Sequence, residues 1–242
     1  MTPSPLLFNN PLDPAALDRA IDLLDLDTRS RVLDVGCGNG EILARVVERF
    51  GCRGIGVDRD VGEIAAAAAR LAAHAGSVVL CADDVRNQDL EGRSFQTILC
   101  VGSTHAFGGP GEGYVASIRA LAPLVAPSGR ILLGEGYWKL DPDEDYLLAT
   151  GIRRGEFVSH ERNIELAEKE GLTLLHAQVS SLSDWDLFEG AFWTAAEKKL
   201  SGDPLDPDAL AGAEHWRKWK EAYLRWGRDT LGFGLYLLRT RP

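Results

Sequence analysis

The segment VLDVGCGNG, residues 32–40, joins a short apolar run to three glycines at alternate positions. The apolar run has the length of a buried strand, and residues 41–50 have a helical pattern that stops at Gly51. Glycine lets the backbone turn sharply and approach a ligand closely, and the start of a helix offers free N–H groups at the same point. The segment therefore predicts a strand, a glycine turn and a helix that bind a ligand, although a tight turn alone would use the same residues.

Strand-length and helix-length segments alternate along the chain up to residue 134. Predicted strands occupy residues 32–35, 54–57, 78–81, 97–101 and 130–134, and predicted helices occupy residues 17–26, 41–50, 61–75 and 114–125. Asp13, just before Pro14, is the expected cap of the first helix. Because such alternation is typical of a parallel sheet with helices on both faces, we expect an α/β fold with a doubly wound, mostly parallel sheet.

The chain beyond residue 138 is less regular. Residues 139–155 are acidic and predict a loop, followed by a helix at 161–170, a strand at 172–179, helices at 187–200 and 208–228, and a strand at 233–238. We expect a single domain over residues 1–242 with its ligand-binding core at 26–138. The segments 139–160 and 185–228 are then candidate insertions that cover the substrate.

The spacing of the glycines indicates which ligand the turn accepts. Gly36, Gly38 and Gly40 do not form the G-x-G-x-x-G pattern of dinucleotide-binding turns. Asp34, inside the preceding strand, would repel a pyrophosphate but suits a cationic group such as the amino group of a sulfonium cofactor. In the alternative interpretation Asp34 only braces the loop.

Further carboxylates follow the second and third predicted strands. Asp58 ends the second strand, where it could accept both ribose hydroxyls of a nucleoside or cap the helix that begins near Val61. Asp83 and Asp84 follow the third strand, where a carboxylate could accept the exocyclic amine of adenine. The carboxyl ends of parallel strands share one edge of the sheet, and open α/β sheets bind their ligands at that edge.

With these motifs the chain resembles the class I S-adenosylmethionine (SAM)-dependent methyltransferases, through VLDVGCGNG, GVDRD at 56–60 and CADDV at 81–85. The resemblance covers residues 30–134 and implies a Rossmann-like sheet of seven strands with the last one antiparallel. It also implies that SAM, with S-adenosylhomocysteine (SAH) as product, is bound as follows. Asp34 and residues 36–40 hold the methionine part, Asp58 the ribose, and Asp83 with the Val85 amide the adenine. The full expected cofactor set is Asp34, Gly36, Cys37, Gly38, Asn39, Gly40, Asp58, Arg59, Asp83, Asp84, Val85 and Gly102.

Two later segments, FQTILCVGSTHAFGG at 95–109 and LLGEGYW at 132–138, resemble a small-molecule subgroup among uncharacterised bacterial methyltransferases. The family usually places an acidic residue where this chain has Gln96. His105 follows the fourth strand and is the candidate general base, because an imidazole can take a proton at neutral pH; in the alternative it only lines the pocket. The expected substrate-facing residues are Thr104, His105, Glu135, Tyr137 and Trp138.

Aromatic residues are concentrated in the last third of the chain. Trp216, Trp219, Tyr223 and Trp226 share one helical face, which favours core packing over ligand binding. The basic residues of the same segment, Arg217 to Arg228, favour a solvated face over an anionic partner because Glu214 and Glu221 interrupt them. Glu156 and His160 lie in a segment of uncertain position and are expected at the surface.

Charge and composition favour small-molecule chemistry. The formal net charge of −10 disfavours nucleic-acid binding, which depends on Lys and Arg. The longest apolar runs are too short to span a membrane, and the first residues lack the pattern of a signal peptide, so we expect a cytoplasmic protein. Cys37, Cys52, Cys81 and Cys100 lack the spacing of a metal or redox site, so no metal is expected.

Two rival functions stay open from the sequence. A non-catalytic SAM-binding protein would keep the same cofactor motifs. An NAD-dependent oxidoreductase would share the general sheet pattern, although the glycine spacing opposes it. The acceptor, the atom that is methylated and the oligomeric state are not encoded in these motifs.

Overall fold

The computed structural model describes residues 6–90, 92 and 94–240. The ends of the predicted domain, residues 1–5 and 241–242, lie outside the described residues. Within the described residues the strands are β1 (Arg31–Val35), β2 (Arg53–Asp58), β3 (Val78–Ala82), β4 (Phe95–Val101), β5 (Val125–Trp138), β6 (Leu172–Val179) and β7 (Leu231–Thr240). They form one seven-stranded sheet in the order β3-β2-β1-β4-β5-β7-β6. The first five strands are parallel and β7 runs antiparallel to both β5 and β6, so the expected fold is confirmed.

The helices pack on both faces of this sheet. They are α1 (Pro14–Asp22), α2 (Glu41–Phe50), α3 (Val61–Arg70), α4 (Gly113–Leu121), α5 (Glu144–Thr150), α6 (His160–Lys169), α7 (Leu182–Gly202), α8 (Pro207–Ala222) and the short α9 (Arg228–Thr230). The side chain of Asp13 caps α1 by accepting from the Ala16 N–H at 2.7 Å. No helix among the described residues is long and apolar enough to cross a membrane.

Three predicted segments differ from the structure for local reasons. The first helix ends at Asp22, because the Leu23 and Leu24 N–H groups bond back three residues and Asp25 turns the chain with a φ of 55°. The predicted loop at 139–155 contains α5, capped by Asp143 and ended by Gly151 at a φ of 73°. The predicted helix at 208–228 instead ends at Ala222 and continues as a π-helical turn, Tyr223–Gly227.

The hydrophobic core has one cluster on each face of the sheet, because successive side chains of a strand point to opposite faces. Val32, with Leu17 of α1 and Val46 of α2, belongs to the first cluster. Leu33, with Ile118 of α4, belongs to the second. From β1 the chain adds β2 and then β3 toward one edge of the sheet. It then returns to place β4 beside β1, and the later strands extend the sheet toward the other edge. The topological switch point, where open α/β sheets bind ligands, therefore lies between β1 and β4.

Candidate active site

A cavity of about 240 Å³ opens at the carboxyl ends of the strands around this switch point. It brings together most of the residues expected to bind a cofactor. Those on its wall are Gly36, Cys37, Gly38, Asn39, Asp58, Arg59, Asp83, Asp84, Val85, Gly102 and also His105. Residues from loops separated by tens of positions in sequence thus line one cleft, as parallel strand ends predict.

The glycine loop is held in a left-handed conformation. Gly36, Gly38 and Gly40 have φ values of 68°, 50° and 75°, a region that favours glycine. The Gly36 N–H donates to the Val57 carbonyl at 2.8 Å, and the Cys37 N–H donates to the same oxygen at 3.1 Å. A Cβ on Gly36 would lie 2.4 Å from the Ser103 Cβ. The loop is therefore wedged between the ends of β2 and β4, and only glycine fits at position 36.

Asp58 connects this loop to the end of β2. Its Oδ2 accepts from the Gly38 N–H at 2.9 Å, and its Oδ1 accepts from the Asp60 N–H at 2.9 Å. The helix cap considered for Asp58 is instead provided by Asp60, whose Oδ1 accepts from the Gly62 and Glu63 N–H groups. Each oxygen of Asp58 keeps a lone pair that can face the cavity.

The acidic pair after β3 is largely engaged by its own loop. Asp83 accepts from the Asn87 side chain at 2.9 Å and from the Gln88 side chain at 3.0 Å. Asp84 caps a short 3₁₀ turn, and its hydrogen bonds with Arg86 hold the pKa of its carboxyl well below the ordinary value. Asp83 also accepts from the Asp84 N–H at 2.7 Å, so each of the two carboxylates accepts three hydrogen bonds from this loop.

Two residues of the expected cofactor set do not line the cavity. Gly40 begins α2 and packs against α3, where a Cβ would lie 2.9 Å from the Ala67 Cβ. Asp34 is 2 % exposed, and its Oδ2 has no hydrogen-bond partner among the described residues. Burial, with the nearby Asp58 charge, raises the pKa of Asp34 to about 7. A direct contact between Asp34 and a ligand therefore stays a prediction.

The raised pKa of Asp34 makes the free energy of unfolding depend on pH. The folded chain holds a proton that the unfolded chain has already lost, so this group destabilises the fold progressively as pH rises from about 4 to about 7. Asp34→Asn cannot ionise. We therefore expect the melting temperature of the variant, relative to the parent, to increase by about 5 °C between pH 5 and pH 8. A difference that is the same at both pH values would contradict the assignment.

The segment before α1 forms part of the wall of this cavity, a contribution that the sequence did not predict. Phe8 is buried, with the Arg45 guanidinium 5.5 Å from its ring centre. Asn10 donates from Nδ2 to the Val101 carbonyl at 3.2 Å, and Asn39 donates from Nδ2 to the Leu7 carbonyl at 3.2 Å. Residues 7–10 all line the cavity. The only sequence signal was a pair of aromatic and aliphatic residues beside two asparagines, which is not specific.

A second cavity, of about 290 Å³, adjoins the first, and His105 lines both. Thr104 and Glu135, expected to face a substrate, lie on its wall, and so does Glu156. The position of Glu135 follows from strand register. Gly134 pairs with Val101, the last residue of β4, so Glu135 emerges just beyond the end of that strand. Glu156, which was expected at the surface, is partly buried and lies on the wall of this cavity, in the loop before α6.

Glu135 is held by two donors inside the second cavity. Thr104 Oγ1 donates to Glu135 Oε2, and the Gly136 N–H donates to Oε1 at 2.9 Å. Burial raises the pKa of Glu135, and the Glu156 charge raises it further. Tyr114 lines the same cavity at 7 % exposure, and its hydroxyl has no hydrogen-bond partner among the described residues.

Tyr137 and Trp138, expected to face a substrate, line neither cavity. Tyr137 packs over Gly232 and lies 5.2 Å, ring centre to ring centre, from His160. Trp138 packs against Tyr146 and Phe157, and its Nε1 donates to the Arg154 carbonyl at 2.8 Å. Both rings therefore support the wall of the second cavity from behind. His160 is likewise half-buried rather than at the surface, with Nδ1 3.0 Å from the Tyr236 hydroxyl.

The aromatic face of the late helices packs within the protein. Trp216 stacks on Phe192 at 4.8 Å, Trp219 donates from Nε1 to Glu189 at 2.7 Å, and Tyr223 donates to Asp186 at 2.7 Å. No described residue of segment 185–228 lines either cavity. Gln96 is also remote from the site, because its Oε1 accepts from the Arg31 N–H at the start of β1. Among the described residues the cysteines are free thiols, and no cluster of metal ligands occurs.

Comparisons with known proteins agree with this geometry. Residues 32–129 match the sequence model of a family described as a methyltransferase domain. The uncharacterized protein YjhP of Escherichia coli strain K12 is 24% identical over 224 residues, which are 90% of this chain and 88% of that protein.

Solved structures extend the likeness to nearly the whole chain. A SAM-dependent methyltransferase from Geobacter sulfurreducens, crystallised with SAH, superposes with a TM-score of 0.88 at 26% identity, over 98% of this chain and 95% of that one. Another from Thiobacillus denitrificans, also with SAH, gives a TM-score of 0.87 at 27% identity, over 98% and 96% of the two chains. The resemblance found in the sequence is thereby confirmed.

Proposed function

We propose that this protein transfers the methyl group of SAM to a small-molecule acceptor. Residues 32–129 match a methyltransferase domain, and the chain has the fold of the SAM-dependent methyltransferases. The observation that carries the proposal is the pair of adjoining cavities. The first is lined by the glycine loop and by four carboxylates (Glu41, Asp58, Asp83 and Asp84), the second by Thr104 and Glu135, and His105 lines both. A cofactor in the first cavity and an acceptor in the second would meet at His105.

The residues of the first cavity fit SAM. A Cβ on Gly36 would clash with the Ser103 side chain, and a Cβ on Gly102 would clash with the Asn10 side chain, so both turns that line this cavity need glycine. Asp58 has lone pairs for the ribose hydroxyls, and Asp83 has an oxygen for the adenine amine. The structures from Geobacter sulfurreducens and Thiobacillus denitrificans, which contain SAH, support the same cofactor here. When bound, SAM supplies an electrophilic methyl group on a positively charged sulfur.

The chain's own residues orient the reactants and exclude water. Methyl transfer is an in-line displacement, so the rate depends on alignment of the two reactants and on a dry site. Residues 7–10 form one wall of the first cavity, and residues 156–158 form one wall of the second. His105 is exposed toward solvent at the junction and can take a proton from the acceptor.

Two segments, 139–160 and 185–228, were expected to cover the substrate, and the proposal keeps only the first in that role. We propose that residues 1–242 form one catalytic domain and that segment 139–160 covers the acceptor. Segment 185–228 would affect the acceptor site only indirectly, by supporting segment 139–160. Its Trp226 packs against Tyr146 of α5, and Tyr146 packs against Trp138.

The test of the cofactor assignment is differential binding. SAH should raise the melting temperature and give a saturable calorimetric signal, because a ligand that binds only the folded state stabilises it. NAD should do neither. Stabilisation by NAD without any response to SAH would favour an oxidoreductase, and SAH binding without methyl transfer to any acceptor would favour a non-catalytic SAM-binding protein.

His105→Ala should separate catalysis from cofactor binding. If His105 takes the acceptor's proton, its loss lowers kcat about 100-fold and leaves the Kd for SAH nearly unchanged. His74→Ala is the matched control, because His74 lies at the end of the 3₁₀ turn after α3 and lines neither cavity. An unchanged kcat in His105→Ala would show that the side chain only lines the site.

A further inference from the structure

The charged side chains that line the second cavity are carboxylates. Glu135 and Glu156 both line it, and among its described lining residues no Lys or Arg occurs, so His105 is the one side chain there that can become cationic. Burial and the charge of Glu156 disfavour the carboxylate form of Glu135. A buried carboxylate without a counter-ion is costly, and a cation that enters the cavity removes that cost.

Tyr114 borders the same cavity. It is more than nine-tenths buried, and its hydroxyl has no hydrogen-bond partner among the described residues. Burial raises the pKa of Tyr114, and the nearby Tyr236 and Glu135 raise it further. Because this hydroxyl is closed off from the cavity, a ligand there meets the two carboxylates and not the phenol.

The amide donors near this cavity are already used. Asn163 donates from Nδ2 to the Gly136 carbonyl at 3.2 Å and to the Tyr236 hydroxyl at 3.3 Å. An anionic acceptor would therefore meet two carboxylates and no free side-chain amide donor from Asn163. The remaining wall includes Val115, Phe157 and Leu166, which suit an alkyl group. A volume of about 290 Å³ is at the small end of ligand pockets.

We propose that the acceptor is a small alkyl amine, bound as an ammonium between Glu135 and Glu156. This proposal rests on the proposed methyltransferase function and specifies its substrate class. Glu135 and Glu156 determine specificity, because carboxylates attract a cation and repel an anion.

The proposed reaction conserves atoms and charge and uses only groups described above. The ammonium R–NH₃⁺ gives one proton to neutral His105, which leaves R–NH₂ with a free lone pair. The nitrogen attacks the methyl carbon of SAM, the new N–C bond forms, and the C–S bond breaks with its electron pair kept by sulfur. The products are R–NH₂⁺–CH₃ and neutral SAH, and exposed His105 releases its proton to solvent.

The test compares matched probes on the full chain saturated with SAH. Isobutylamine, isobutanol and isobutyrate share a carbon skeleton and differ only in the polar group. We expect isobutylamine alone to raise the melting temperature further, and to be methylated when SAM replaces SAH. Glycine, an amine with a carboxylate, should bind more weakly than isobutylamine.

Two variants make the test specific for the proposed carboxylate. Glu135→Gln keeps the shape but removes the charge, and we expect a 10- to 100-fold weaker affinity for isobutylamine, about the range of a hydrogen bond to a charged group. Glu161→Gln, on the exposed start of α6 and outside both cavities, should leave that affinity unchanged. The Kd for SAH should stay the same in both variants, which shows that the fold is intact.

The outcomes separate this inference from the proposed function. If SAH binds but isobutylamine neither binds nor is methylated, or if isobutanol or isobutyrate is preferred, the acceptor is not an alkyl amine. An unchanged affinity in Glu135→Gln overturns the role of that carboxylate. If SAH itself does not bind, the proposed function fails and the inference fails with it.

Discussion

Gly36→Ala is expected to lower the melting temperature by about 10 °C and to abolish SAH binding at concentrations that saturate the parent protein. A Cβ at position 36 would lie 2.4 Å from the Ser103 Cβ and 2.8 Å from its Oγ. Ser103 cannot retreat freely, because its hydroxyl donates to the Val35 carbonyl and contacts the Cys100 thiol. The φ of 68° adds a penalty of about 1–2 kcal/mol for any residue with a Cβ. Thermal unfolding and SAH titration of the same preparation measure both effects.

Two further variants test the cause of this loss. Gly212→Ala, within α8 where a Cβ would meet nothing within 4 Å, should stabilise the fold by about 0.5–1 kcal/mol, because alanine is the better helix former. Ser103→Gly combined with Gly36→Ala removes the steric clash but not the positive φ. We expect this double variant to recover part of the lost melting temperature. If Gly36→Ala is as stable as Gly212→Ala, the loop is not wedged as described.

Asp58→Ala is expected to weaken SAH binding about 100-fold, which corresponds to about 3 kcal/mol. The substitution removes the proposed acceptor of the ribose hydroxyls. It also leaves the N–H groups of Gly38 and Asp60 without the carboxylate that now orients them. Asp58→Asn keeps one carbonyl oxygen, so it should lose less affinity than Asp58→Ala. Isothermal titration with SAH gives the three affinities directly.

Asp60→Ala is the matched control for this prediction. Asp60 is two residues away, caps α3 and lines neither cavity. Its removal should lower the free energy of unfolding by about 1 kcal/mol, as for other helix caps, without changing the Kd for SAH. Equal affinities in Asp58→Ala and the parent protein would show that the ribose does not contact Asp58.

The cofactor cavity was largely predictable because its residues occur at fixed points of a repeated pattern. The glycines, Asp58 and Asp83 each follow an apolar strand directly, and parallel strands place such positions at one edge. The same reasoning does not distinguish a side chain at the edge from one buried within a strand. Asp34 was assigned to the ligand for its charge; the structure buries it within β1 and outside the residues that line the cavity, so its contact with a ligand stays a prediction.

The second cavity was harder to predict because much of its wall comes from loops without a periodic pattern. Tyr137 and Trp138 follow Glu135 along β5, but their rings pack against Tyr146, Phe157 and His160 and do not line the cavity. Glu156 and Tyr114 reach the cavity from segments that are distant in sequence from the glycine turn at 36–40. Hydrophobicity and spacing describe the elements themselves and contain little information about how irregular loops fold over a sheet.

The sequence by itself determined the parallel sheet, its glycine turn and the row of carboxylates at strand ends, because these depend on local periodicity, backbone freedom and the shared direction of the strands. Only the tertiary structure decided that residues 7–10 line the first cavity and that Glu135, Glu156 and Tyr114 line the second. The physical reason is that these contacts join loops far apart along the chain. Their positions depend on the packing of the whole molecule and not on any local preference.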